Sequence, residues 1–353
     1  MVVASPERSR ELAARRAPAT TRLLWVGLAL TLMVLAALAS VAFGARVVGP
    51  HDLVGGLVGV VTGDGSGDSI AQAAVEKRVP RTLLALIAGA ALGLSGAVMQ
   101  GVTRNPLADP GILGVTTGAA LSVVVGIAFF GLASPSAYIW VAIGGGAVAA
   151  LFVYAVGSLG RGGATPLKLT LAGAATSAAL SSLISAILLP RIDVMNQFRF
   201  WQIGGVGGAS YDKLGLVLPF LVVGAVISLA AARGLNSLAL GDDVAAGLGE
   251  KVTRTRLLAA VGAVTLCGAV TAVAGPIGFV GLVVPHLCRL LIGIDHRWLL
   301  PASMIVGAAL LTSADVVGRV VARPSEVDVG IVTAFIGAPV FISIVRNQKL
   351  RSL

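Results

Sequence analysis

The sequence predicts an all-α polytopic membrane protein of ten transmembrane helices, and three observations carry that prediction. The 353 residues are 56% hydrophobic and only 12% charged, whereas a soluble domain is about 45–50% apolar and about 25% charged. The mean hydropathy is +0.94, and ten apolar runs are long enough to span a bilayer. The basic residues gather at the ends of those runs, where topology needs them. The net charge of +10 therefore does not indicate nucleic acid, because no basic stripe is interleaved with aromatics.

In chain order, residues 1–22 form a tail carrying Arg8, Arg10, Arg15, Arg16 and Arg22. The apolar run from Leu23 to Phe43 is long enough to span, and no convincing small-residue cleavage site follows it. We read it as the first span rather than a cleavable signal. The ten runs fall near 23–43, 79–101, 111–131, 137–159, 166–189, 211–232, 257–275, 277–293, 299–320 and 330–346. Residues 23–347 make one membrane body, and 348–353 a second tail. An even number of spans puts both termini on one side. That side receives 17 of the 26 Lys and Arg, and the other receives nine, so both termini are expected in the cytoplasm.

Two outer segments are long. Residues 44–77 are Gly- and Asp-rich and predict a mobile external loop. Residues 190–210 hold an amphipathic piece, Met195 to Ile203, expected as a short helix at the outer mouth. Phe198, Phe200 and Trp201 fit an interfacial aromatic belt equally well. The largest inner loop, 233–256, has helix-start character at Asp242 and Asp243 and a stop at Gly249. Its short helix suits another protein's groove, and a plain connecting loop is the bland alternative.

The second run carries the most information. Arg78 and Arg81 flank Pro80, and a Gly/Ala-rich helix continues to Gln100. The chain then breaks through Asn105-Pro106-Leu107-Ala108-Asp109-Pro110-Gly111, because each proline lacks a donor and crowds the preceding turn. Broken backbone at membrane depth is tolerated only where protein or a water-filled cavity covers it. Gln100, Asn105, Pro106, Pro110 and Gly111 are therefore expected along a conduit. Gly89-x-x-x-Gly93 and Gly114-x-x-x-Gly118 are close-packing patterns. A helix, a break and a second apolar piece recur at 256–286 with the opposite starting side, which suggests inverted repeats.

Chemistry-bearing constellations are scarce. Cys267 and Cys288 sit in apolar runs and form no redox motif. The three histidines and two cysteines have no metal-ligand spacing. Around Lys251, Glu250 and Val252 stand where a phosphate-binding loop needs Gly and Ser or Thr. The chain is thus not expected to hydrolyse ATP or to be an enzyme. Ser95 between Gly93 and Gly96, with His286 elsewhere, mimics an intramembrane serine protease, but a close-packing face explains Ser95 better. Asp315 is the clear intramembrane acid, and Arg319 four residues on should satisfy it. An ion-coupled secondary transporter would show more such acids.

Several long motifs resemble one family. Arg78-Val79-Pro80-Arg81, then Ser95-Gly96-Ala97-Val98-Met99-Gln100, then Asn105 to Val115 resemble the FecCD-type permeases. These are membrane subunits of ABC importers for ferric siderophores, haem and cobalamin. Leu238 to Gly249 matches the family's Leu-x-Leu-Gly-x-x-x-Ala-x-x-Leu-Gly without departure, and Gly275 to His286 and Val329 to Phe341 extend the resemblance over roughly 75–347. It implies a type II ABC importer permease fold with an inverted repeat. Its implied partners are a second permease, identical or paralogous, two ABC ATPase subunits holding ATP and magnesium, an extracytoplasmic binding protein, and membrane lipid. It implies that Leu240, Gly241, Ala245, Ala246, Leu248 and Gly249 serve coupling to the ATPase. It also implies that Arg78, Arg81 and Arg319 meet the binding protein. The expected cargo is a ferric siderophore, with haem or cobalamin as the alternative.

Overall fold

The computed structural model describes residues 19–62, 69–160 and 165–351. The first half of the chain gives α1 (Ala19–Ala42), α2 (Pro50–Thr62), α3 (Ile70–Thr103), a 3-10 turn (Pro110–Leu113), α4 (Val115–Phe130), α5 (Pro135–Ser158) and α6 (Pro166–Leu188). The second half gives α7 (Ile192–Gln202), α8 (Tyr211–Ala230), α9 (Ala232–Leu238), α10 (Asp242–Gly247), α11 (Val252–Ala274), α12 (Val280–Ile292), α13 (His296–Val321) and α14 (Val329–Arg351). No strand occurs among the described residues. Seven helices are long and apolar enough to cross a membrane: α1, α3, α5, α6, α8, α11 and α13. Three shorter apolar helices, α4, α12 and the first part of α14, bring the total to the ten runs read from the sequence. We call the end where α1 stops the upper end, and the end holding α9 and α10 the lower end.

Helix α3 is the axle of the bundle. Ser69 caps its start, accepting from the Gln72 N–H at 3.2 Å. Its 34 residues run about 51 Å at 1.5 Å each, and 78% of its apolar window is buried. It can be central because its glycines admit other backbones. A Cβ on Gly89 would lie 2.3 Å from the Gly307 carbonyl oxygen, one on Gly93 2.2 Å from that of Ser303, and one on Gly96 1.9 Å from that of Gly281. The Gly89/Gly93 pattern thus seats α13, and Gly118 likewise seats α5 at Gly145. Helix α1 is the opposite case, exposing Leu23, Leu24, Leu28, Leu35 and Leu38, as a lipid-facing helix does.

The internal echo is real in the fold. Helix α3 leads into a break and then α4; α11 leads into a break at Gly275–Phe279 and then α12. The Gly205 N–H donates to Ala274 at the end of α11, and Gly207 lies beside Arg81 near the start of α3. The two long helices therefore run in opposite senses.

Two expectations change. The 44–77 segment is not one open loop, because α2 occupies Pro50–Thr62 and α3 begins at Ile70. Gly55, Gly56 and Gly59 lie against Gln72, Val75 and Glu76, so α2 packs on that added length of α3. Residues 63–68 of the Gly/Asp stretch, like the tail at 1–18, lie outside the described residues. The short helix near 195–203 exists as α7, but Phe198 is buried and packs against Trp201, ring centroids 5.6 Å apart. Phe198 is therefore core, not an interfacial belt. The Phe200 side chain lies outside the description.

Candidate functional site

The break after α3 begins at Arg104, a left-handed cap at φ 52° and ψ 31°. Asn105 Oδ1 accepts from the Leu107 N–H at 2.9 Å, and Asp109 Oδ1 accepts from the Gly111 N–H at 2.8 Å. Two side-chain oxygens thus replace the helical bonds that Pro106 and Pro110 cannot make. Pro110 opens the 3-10 turn, and Gly114 at φ +72° turns the chain into α4. This segment climbs from the lower end into the bundle. A Cβ on Gly281, at the start of α12, would lie 2.8 Å from Asp109 Oδ2. Asp109 is a half-buried acid that the sequence reading passed over, since nothing local marks which loop carboxylates turn inward. The end of the 3-10 turn adjoins α6, where a Cβ on Gly114 would lie 3.7 Å from Ser177 Oγ. Gln100 departs from expectation. It is buried, and its amide donates to the Gly281 and Leu282 carbonyls at 3.2 and 3.3 Å. It ties α3 to α12 and does not line an open path.

At the lower end, α10 sits between two glycines at positive φ, Gly241 at +107° and Gly249 at +85°. Leu240, just before α10, Val244 within it and Leu248 at its end are 61%, 51% and 67% exposed. Ala246 and Gly249 are exposed as well. Ala245 is fully buried, so it fixes α10 to the chain and is corrected from an outward contact to an anchor. Val244 is the outward residue the motif reading missed. Nearby, Asn236 donates to Asp295 Oδ1 at 2.7 Å and accepts from the His296 N–H at 2.9 Å, which joins α9 to α13. Burial alone would raise the Asp295 carboxyl, but the Asn236 amide, the Arg297 N–H and the guanidiniums of Arg297 and Arg22 hold it below its ordinary value.

At the upper end Arg78 and Arg319 prove to be interior, and Arg81 is part-buried. Arg319 is 2% exposed and donates to the Ser40 and Phe43 carbonyls at 3.0 and 3.2 Å. Arg78 is 6% exposed and donates to the carbonyls of Val41, Ala42 and Arg46. The last carbonyls of a helix have no partner within it, and these guanidiniums cap α1. Arg81 donates to Asp315 at 2.8 Å and to Glu326 at 2.6 Å. The predicted pair of Asp315 with Arg319 forms at 2.9 Å. Arg78 and Arg319 are thus corrected from rim charges to staples, because their donors are spent inside the chain. Arg81 is only part-buried, and its guanidinium is paired with two carboxylates. Beside them a cleft of about 390 Å³ opens among α5, α7, α8 and α11, with Trp201, Lys213 and Asp328 on its walls. Burial pushes the Asp328 carboxyl up, against the pull of Arg81.

Ser95 is fully buried, and its hydroxyl donates to the Ala263 carbonyl at 2.7 Å. It serves packing of α3 on α11.

The FecCD transport family model matches residues 30–347. The ferric enterobactin transport system permease protein FepD of Escherichia coli is 49% identical over 275 residues, covering 78% of this chain and 82% of that protein. The probable siderophore transport system permease protein YfiZ of Bacillus subtilis is 45% identical over 270 residues, covering 76% and 81%. A solved metal-chelate type ABC transporter in an inward-facing conformation superposes with a TM-score of 0.77 at 30% identity, over 92% of this chain and 99% of that one.

Proposed function

This chain belongs to the FecCD transport family, and from that premise we propose that it is the permease subunit of an ATP-driven ferric siderophore importer. It is a multi-pass membrane protein of a family of ABC importer permeases. The observation that carries the coupling role is α10, a short helix between two positive-φ glycines with Leu240, Val244 and Leu248 exposed on and beside it. An apolar face on a polar loop suits a groove on an ATPase subunit. ATP and magnesium then belong to that subunit. The excess of basic residues at the lower end supports a cytoplasmic position for α10 and both termini. Cargo arrives at the upper end from a binding protein.

Helix α6 supports a second permease. Only 6% of its apolar window is buried, yet its exposed positions include Ala174, Ala175, Ala178, Ser181, Ser182 and Ser185. Lipid favours large apolar side chains, as on α1, whereas small and hydroxyl residues favour close helix contact or a polar path. The 3-10 turn that closes the break abuts this helix, so a pathway between two permeases would run along both.

The siderophore assignment follows the ferric enterobactin and siderophore permeases at 49% and 45% identity. Its test is complementation. A strain deleted for its ferric enterobactin permease, carrying this chain with its cognate ATPase and binding protein, should grow on ferric enterobactin as sole iron source. Growth on hemin but not on ferric enterobactin would overturn the cargo assignment.

A further inference from the structure

Three elements of the lower end meet on one carboxylate. Asp242, the first residue of α10, accepts from Arg104 at Oδ1. It accepts from Arg256 as well, at 3.1 Å on Oδ1 and 3.2 Å on Oδ2. Arg256 is buried near the start of α11, at the foot of a spanning helix. Arg104 is half-exposed, caps α3 and is bonded directly to Asn105, where the broken segment starts.

The two arginines differ in what they can do. Arg256 is held by a packed helix and serves as the fixed pole. Arg104 stands between the last turn of α3 and an extended stretch without helical bonds, so it can yield. Helix α10 lies between Gly241 and Gly249, both at positive φ, and Ala245 alone of its residues is buried. An exposed ion pair adds little stability, but here the pair is a connection. Displacement of α10 must move the Asp242 carboxylate, and a charge-assisted hydrogen bond passes that movement to Arg104.

We propose that Asp242 is a positioning residue that transmits movement of α10 to the 105–111 segment through Arg104. This rests on the coupling role of α10 proposed above.

The test uses the complex of this chain with its ATPase subunits in proteoliposomes. An environment-sensitive fluorophore is placed on a cysteine replacing either Asp243, on α10, or Leu107, in the break. Native Cys267 and Cys288 are buried and stay unlabelled. A non-hydrolysable ATP analogue should change the signal at both positions. With Asp242→Asn or Arg104→Gln, the response at 243 should persist and the response at 107 should be lost. Arg104→Lys, which keeps a charge on a flexible stem, should restore part of it. An undiminished response at 107 in both Asp242→Asn and Arg104→Gln would overturn the inference. A silent probe at 243 in the otherwise native chain would overturn the coupling role of α10, and this inference with it.

Discussion

Asp315 shows how one residue can hold three helices. It is fully buried between Arg81 and Arg319, and Arg319 in turn caps α1 through Ser40 and Phe43. Removing one partner of a buried ion pair leaves an uncompensated charge, at about 3–5 kcal/mol. Asp315→Ala leaves buried Arg319 without a counter-charge and Arg81 with Glu326 alone, so unfolding of the solubilised chain should show a loss in that range. A change below about 1 kcal/mol, as for exposed pairs, would mean that the cluster is not structural. Gly96 makes a different demand. A side chain there meets the Gly281 backbone, which cannot move aside as a flexible side chain can. Gly96→Leu should separate α3 from α12 and abolish folded, monodisperse protein in detergent size exclusion. Gly27→Leu, with nothing near its Cβ position, should not. The Asp315–Arg319 pair was legible in the sequence because it is local, four residues apart on one helix. The Arg78 and Arg319 bonds to α1 were not, because their partners lie 36 to 279 positions away.

At the scale of elements, the break and the coupling helix carry the mechanism. The break was legible because proline forbids helix whatever its surroundings. Replacing both Pro106 and Pro110 with alanine should favour a continuous helix and slow uptake in proteoliposomes, whereas an unchanged rate would show that Asn105 and Asp109 hold the segment open without them. Helix α10 was legible from its glycine stop and acidic start, but its orientation was not. Six residues give too little periodicity to say that Ala245 turns inward and Val244 outward. Gly249 at φ +85° lies where a side chain adds roughly 1–2 kcal/mol of strain. Gly249→Trp adds bulk on the exposed face as well, and should reduce ATPase stimulation by the loaded binding protein while leaving binding-protein capture intact. Full stimulation in that variant would exclude α10 from coupling.

For the whole molecule, composition and the length of the apolar runs were enough to reach a polytopic helical bundle, with seven helices of spanning length and three shorter apolar helices at the remaining runs. The extent of α3 was not legible, because its first turns, Ile70 to Lys77, are too polar to read as span and become helical by packing on α2. Nor does sequence reveal that α6 lacks cover within the chain, since burial depends on neighbours contributed by other elements or other chains. In the proposed function this fold moves its cargo at the expense of ATP hydrolysed by partner subunits. Radioiron uptake from ferric enterobactin into proteoliposomes holding the chain with its ATPase and binding protein tests it most directly. Uptake should require enclosed ATP on the ATPase side and the binding protein on the other, and should survive ionophores that collapse proton and sodium gradients. Uptake that persists without ATPase subunits and stops with the ionophore would contradict it, and would assign the chain to ion-coupled transport.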